Sequence, residues 1–231
     1  MTRTTNARVA GVTFLFYIVI GITSLVLSGR AITGVGIAAR LAGIGQHAME
    51  MRVVSLLSLL TSFAAIVLGV TLYAITREQD RELAMLALIC RVAEGFNGLL
   101  MPTTPALLWL ATATGPNAPD AATAHALGSL LLALGAWTWG ATLFAVGSTL
   151  FSWLLLRGRM IPVALAWLGV LASVLLVVIL PLQRVGLFGG SRNWFSGITW
   201  LMWLPMLVFE VMFALWLIVK GVAVPARRQS A

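Results

Sequence analysis

Charge is scarce in this chain of 231 residues, at 10% against about 25% in a typical soluble domain. Hydrophobic residues fill 60% of it and the mean hydropathy is +1.00. That balance excludes a soluble globular domain, a disordered tail and a secreted disulfide scaffold, and leaves an integral membrane protein. Cys90 is the single cysteine, which excludes an internal disulfide and a cysteine-rich metal cage. The two histidines, His47 and His125, lie far apart in sequence, so no metal site is expected. Nucleotide-binding glycine loops, the HExxH zinc pattern, the GxSxG elbow and kinase signatures are all missing, and no cofactor is implied. Acidic residues are also few, 7 against 15 Lys and Arg, for a net charge of +8. The basic residues are scattered in pairs between apolar runs rather than gathered on one face. They therefore point to membrane orientation and anionic headgroups, not to nucleic acid.

What the sequence does have is long apolar runs. A membrane-spanning helix needs about 20 mostly apolar residues, and six such runs follow one another. They are Val9 to Leu27, Val53 to Ile75, Leu83 to about Trp109, a fourth ending at Leu156, Val163 to Leu182, and Ile198 to about Val219. Backbone polar groups in lipid must be satisfied within their own segment, so the runs are helices; they are too continuous for the alternating strands of a barrel. The first run is longer than a signal-peptide core and is kept as helix one. The fold class is thus all-α: a polytopic membrane protein, 1–231 forming a single six-helix transmembrane domain, with an interfacial helix between helices one and two.

Arg and Lys set the expected orientation. With both termini cytoplasmic, the inner segments hold Arg3, Arg8, Arg77, Arg81, Arg157, Arg159, Lys220, Arg227 and Arg228. The outer segments then hold Arg30, Arg40, Arg52, Arg184 and Arg192, a smaller set. Tight turns at Thr76–Glu82 and Arg157–Pro162 make helices two/three and four/five antiparallel neighbours. Ile37 to Met51 mixes Leu, Ile and Met with Arg40, His47 and Glu50, which suits a helix lying in the interface. Thr123 to Leu156 is too long for one crossing of a hydrocarbon core of about 30 Å. An interfacial piece at Thr123–Ala133 and a break near Gly135 are expected. Pro102 and Pro105 should break or kink the outer end of helix three.

Four local patterns resemble a bacterial and archaeal family known as domain of unknown function 4386. RVAGVTFLFYIVIG (Arg8 to Gly21) is similar to that family's first helix, and MEMRVVSLLSLL (Met49 to Leu60) to the start of its second. ICRVAEGFNGLL (Ile89 to Leu100) resembles its Arg-x-x-Glu signature in helix three. SWLLLRGRMIPVALAWLGVL (Ser152 to Leu171) resembles its turn between helices four and five. Glu50 and Arg52 stand closer together than the family's pair. Its aromatic-glycine pair and nearby histidine fall near Ala145 and Leu134 here, so His125 is not equated with that histidine. The resemblance implies a polytopic inner-membrane protein and no activity.

Ionisable side chains inside a span are costly and mark functional sites by default. Arg91 lies about 12 Å into helix three, and Glu94 is one turn deeper on the same face. Glu210 is near the middle of helix six. A structural reading has Arg91 and Glu94 neutralising each other as a buried clamp. The functional reading starts from one arginine facing two carboxylates. Unless Arg52 or Arg184 reaches in, one carboxyl holds its proton, and Glu210, without an adjacent arginine, is the expected one. Arg91, Glu94 and Glu210 are therefore the candidate catalytic residues. Asn97 is expected to hydrogen-bond across the bundle. Trp137, Trp139, Trp194, Trp200 and Trp203 cluster near outer helix ends. They read as an interfacial aromatic belt or as a cavity wall for an apolar or cationic ligand, with Asn97, Trp137, Trp139, Trp200 and Trp203 the ligand-binding candidates. Trp153 and Trp216 read as belt residues at the inner side. His47, Glu50 and Arg52 form a hydrated interfacial turn or a headgroup or metal site. Ala136-x-x-x-Gly140 is an unspecific small-residue packing face.

The reading that follows is an inner-membrane protein handling a small apolar or amphipathic molecule within the bilayer, with membrane lipids as partners. One alternative is an isoprenoid or lipid isomerase or cyclase using Glu210 or Glu94 as general acid. Another is an accessory subunit whose buried charges only fix assembly.

Overall fold

The computed structural model describes residues 2–100, 102–116, 118–135, 139–185, 187 and 197–223, and the regular structure among them is all helical. The side chains of Arg184 and of residues 197–200 lie outside the description. The helices are α1 (Arg3–Ala31), α2 (Ile37–Gln46), α3 (Ala48–Thr76), α4 (Arg81–Leu100), α5 (Thr103–Thr112), α6 (Ala121–Gly135), α7 (Trp139–Arg157), α8 (Val163–Arg184) and α9 (Gly197–Val219). Six helical segments are long and apolar enough to cross a membrane, as the hydropathy required.

The differences from the sequence expectation are at the ends. α1 and α3 begin several residues before the apolar runs, at Arg3 and Ala48. Hydropathy marks only the lipid-facing stretch, whereas helical hydrogen bonding continues into polar flanks such as Arg3–Arg8. The short helix expected over Ile37–Met51 ends at Gln46, and from Ala48 the chain already belongs to α3. The proline break is present: α4 stops at Leu100 and α5 starts at Thr103, with Pro102 as its N-cap. Pro105 then sits in the first turn of α5, where a missing N–H costs nothing. The break expected near Gly135 cannot be placed, because residues 136–138 lie outside the described residues.

Two compact units emerge from the packing. One comprises Met1–Tyr17, Phe63–Gly95 and Trp139–Ala231, and the other Ile18–Ser62 and Phe96–Thr138. The first unit has the larger core, built on Phe14, Leu68, Phe151, Leu176, Phe209 and Phe213 among others, all buried. Within it α8 packs on both α7 and α9. In the second unit α2, α5 and α6 pack on one another around Ala31, Ile44, Met51 and Leu107.

One end of the first unit is tied by polar contacts. Arg3 pairs with Glu78 at 3.1 Å and donates to the Ile75 carbonyl at 2.9 Å. The Ala223 amide donates to the Met160 carbonyl at 2.9 Å, joining the chain after α9 to the α7–α8 turn. Asp80 caps α4, accepting from the Leu83 amide at 3.2 Å, and lies 3.6 Å from Arg157 of α7. In the second unit Asp120 caps α6 in the same way, and the Thr123 amide and hydroxyl hold its carboxyl below the usual carboxylate range. A depressed acid contributes stability above its ordinary range, which is lost as the pH falls through the folded value. Acidification therefore frays the first turn of α6. Asp80→Ala removes both a cap and the partner of Arg157 and should destabilise the protein by about 1–2 kcal/mol. Asp80→Asn, which keeps a capping oxygen, should recover more than half of the loss in thermal unfolding.

Candidate functional site

The first unit brings three membrane-depth ionisable residues into one buried cluster. Arg91 is 1% exposed, Glu94 8% and Glu210 6%. Arg91 and Glu94 are one turn apart on α4, so the guanidinium runs alongside the carboxylate it pairs with. Arg91 Nη1 and Glu94 Oε2 are 2.9 Å apart. Distance alone makes this an ion pair, because no N–H of Arg91 is aimed at that oxygen. Nε, Nη1 and Nη2 are all buried and make no hydrogen bond among the described residues. Glu94 Oε2 and Glu210 Oε1 are likewise buried without a hydrogen-bond partner there. Glu210, on α9, is close enough to interact electrostatically with both Arg91 and Glu94.

Aromatic residues complete the surroundings. Tyr17 of α1 donates its hydroxyl to Glu94 Oε1 at 2.7 Å. The Arg91 Cζ lies 5.4 Å from the centroid of the Tyr17 ring and 5.0 Å from that of Phe144 on α7. Those two rings are parallel, 6.5 Å apart, and Phe144 also meets Trp203 of α9 at 5.9 Å. A desolvated cation–π contact contributes about 2 kcal/mol, so the ring faces offset part of the cost of hiding the cation from water.

Two glycines let neighbouring helices come close to Arg91. A Cβ on Gly69 of α3 would lie 2.9 Å from Arg91 Cβ. One on Gly147 of α7 would lie 3.2 Å from Cys90 Cβ and 3.3 Å from Arg91 Cδ. Larger residues at either place would push a helix off the arginine stem.

Other sequence candidates lie elsewhere. Asn97 belongs to the second unit, is half-buried, and its side chain makes no hydrogen bond among the described residues. Trp139 is 51% exposed, and Trp153 is exposed as a belt residue would be. Trp137, Trp194, Ala136, Arg192, Arg227, Arg228 and the side chains of Trp200 and Arg184 lie outside the described residues. Arg52 is exposed, so it is not a buried second cation. His47, the C-cap of α2, contacts the Gly43 carbonyl of that helix through Nδ1 at 3.0 Å, and His125 is exposed. Among the described residues no three His, Cys, Asp or Glu side chains gather as a metal site. Tyr17, Phe144, Gly69 and Gly147 were not foreseen. An aromatic or a glycine in an apolar run carries no mark that separates a site wall from ordinary packing.

The family model for a domain of unknown function (DUF4386) matches residues 9–221. The chain belongs to that family. The match takes in five of the six candidate membrane-spanning segments whole and the first from residue 9, and the Arg-x-x-Glu pattern at Arg91 and Glu94 falls inside it. No curated protein and no solved structure matches the chain.

Removing one partner of a buried pair leaves the other charge uncompensated, at a cost of about 3–5 kcal/mol. Arg91→Met should therefore lower stability by that order. Arg91→Met combined with Glu94→Leu removes both charges and should cost clearly less in thermal unfolding. Equal losses in the single and double variants would show that the two charges are energetically independent.

Proposed function

We propose that the cluster of Arg91, Glu94, Tyr17 and Glu210 binds the polar end of a small amphipathic molecule whose apolar part stays in the membrane. The observation that carries this reading is Arg91: three buried donor nitrogens with no aimed acceptor inside a hydrophobic bundle. Leaving buried donors unsatisfied costs about 1–3 kcal/mol each, more for charged groups. A ligand that supplies acceptors recovers that energy, which is an ample source of affinity. Phe144 and Trp203 supply apolar and π surface beside those donors, as ligand sites generally do.

Charge balance assigns Glu210 its role. Arg91 compensates Glu94 at 2.9 Å, which leaves Glu210 as the surplus carboxyl and, as an uncharged acid, the cheapest form to bury. Glu210→Gln reproduces that neutral form. Purified in mild detergent, the wild-type chain and Glu210→Gln should each carry a small amphiphile in near-stoichiometric amount by mass spectrometry of the extract. The folded Arg91→Met/Glu94→Leu double variant should lose it. Identical extracts from all three, containing only bulk phospholipid, would refute the reading.

The protein is read as a multi-pass inner-membrane protein with both termini cytoplasmic. Supporting this, Arg3, Arg77, Arg81, Arg157, Arg159 and Lys220 lie at the helix ends and turns tied together by the Arg3–Glu78, Arg157–Asp80 and Met160–Ala223 contacts. With buried Cys90 replaced by Ala, Ala118→Cys in the α5–α6 loop should react with a membrane-impermeant maleimide in intact cells. Reaction only after lysis would reverse the orientation.

A further inference from the structure

The unmet donors and the sign of the surplus charge specify more than a polar end. We propose that the bound group is a singly charged oxyanion and that it enters together with one proton, taken by Glu94 as Arg91 exchanges Glu94 for the ligand. This deepens the reading above and rests on the cluster being a binding site.

Geometry supports the exchange. A guanidinium is a planar fork of donors that fits two oxygens of one oxyanion. Its present contact with Glu94 is close but undirected, so releasing it breaks no aligned hydrogen bond. Glu94 stays anchored after release, because Tyr17 holds the other carboxyl oxygen at 2.7 Å. A phenol hydroxyl both donates and accepts, so Tyr17 serves Glu94 as a carboxylate and as an acid.

Charge supplies the proton count. With Glu210 neutral, Arg91 and Glu94 sum to zero, and an entering anion would leave one uncompensated negative charge in a buried site. Such a charge is expensive in a low dielectric. A proton from solvent, placed on the Glu94 oxygen that Arg91 gives up, restores neutrality; no bond between heavy atoms changes. Among the described residues of this unit, the remaining carboxylates, Glu78, Asp80 and Glu82, lie in the α3–α4 turn and the first turn of α4, away from the cluster. Tyr17 of α1 and Cys90 of α4 are neutral and could only lose one. The α3 portion contributes Tyr73 alone. The ionisable residues of α7 and α8 are Arg157 and Arg184, at their ends, and Arg157 faces Asp80. In the part of α1 that belongs to this unit the charges are Arg3, which pairs with Glu78, and Arg8, which is exposed.

The test uses the full chain in phosphatidylcholine nanodiscs and decane-1-sulfonate, an amphiphile that is anionic at every working pH, so any proton taken up belongs to the protein. Titration calorimetry in two buffers of different ionisation enthalpy counts that proton. Saturable binding is expected above the empty-nanodisc background, with about one proton taken up per sulfonate. Affinity should fall up to about tenfold for each unit that the pH rises. Glu94→Gln, which mimics the protonated acid, should bind at least as tightly, without proton uptake and with a flat pH profile. Arg91→Met/Glu94→Leu should show background only. Binding without proton uptake by the wild type overturns the inference whether or not Glu94→Gln folds, and so does uptake that persists in that variant. Preference for decyltrimethylammonium, or no binding of either probe, also overturns it. In that case a stoichiometric amphiphile in the wild-type extract, lost from the double variant, leaves the parent reading standing; its absence removes both.

Discussion

A guanidinium withdrawn from water is the constraint that organises the first unit. Hydrocarbon gives an arginine neither hydration nor a counter-charge, so the protein has to supply substitutes from several helices. α4 supplies the counter-charge through Glu94, one turn away. α1 supplies Tyr17, which holds Glu94 and turns a ring toward the cation. α7 supplies Phe144, whose ring lies 5.0 Å from the guanidinium carbon. Gly69 and Gly147 keep α3 and α7 close enough for this shell to form around the arginine stem. Each of these residues reads as ordinary in its own helix, and each has a role only because Arg91 is where it is.

The shell is incomplete in one respect, and that favours the proposed ligand site over a clamp. A buried ion pair that serves stability alone should spend its hydrogen-bonding capacity internally, since an unmet charged donor is among the most costly groups to bury. Here the attraction between Arg91 and Glu94 is present and the directed hydrogen bonds are not. Glu210 adds a second carboxyl that a clamp does not require. The polar ties at the helix ends behave differently: Arg3 and the Met160–Ala223 contact each join two segments through directed hydrogen bonds of 3.1 Å or less. Arg3 Nε, Ser24 Oγ and Glu50 Oε2 are also buried without a partner among the described residues, but one atom at a time, whereas the intramembrane cluster leaves a whole guanidinium unmet.

Much of the architecture is legible in the sequence. Six spans follow from the solvent, because only a continuous helix satisfies its backbone in lipid. The proline break after Leu100 and the short helix from Ile37 followed from turn chemistry and from mixed polarity. The pairing of Arg91 with Glu94 followed from an i,i+3 spacing, and the nearness of Glu210 from the expense of leaving a carboxyl in lipid. What could not be read is whatever depends on the approach of two helices. Tyr17 differs from Phe14 or Phe16 in the sequence by one hydroxyl, yet that hydroxyl is what touches Glu94. Gly69 and Gly147 look like any of the 22 glycines. Hydropathy also misplaces helix ends, since it registers lipid contact rather than hydrogen bonding, which is why α1 and α3 begin earlier than their apolar runs.

The tryptophans show where composition stops being informative. Nine in one membrane chain admit both an interfacial belt and an aromatic-lined site, and the sequence weighs them alike. The two readings separate by residue. Trp139 and Trp153 are exposed on their helices, as a belt demands. Trp203 instead packs on Phe144, the ring that also faces Arg91, and so joins the aromatic shell of the cluster. On the proposed reading, belt and site draw on the same residue type at different helical phases. Because α9 carries both Trp203 and Glu210, two turns apart and on one face, an amphiphile whose head reaches Arg91 would lie along α9 with its apolar part against Trp203. The helix that contributes the surplus carboxyl also contributes the apolar wall, which is the pairing that an amphipathic ligand requires.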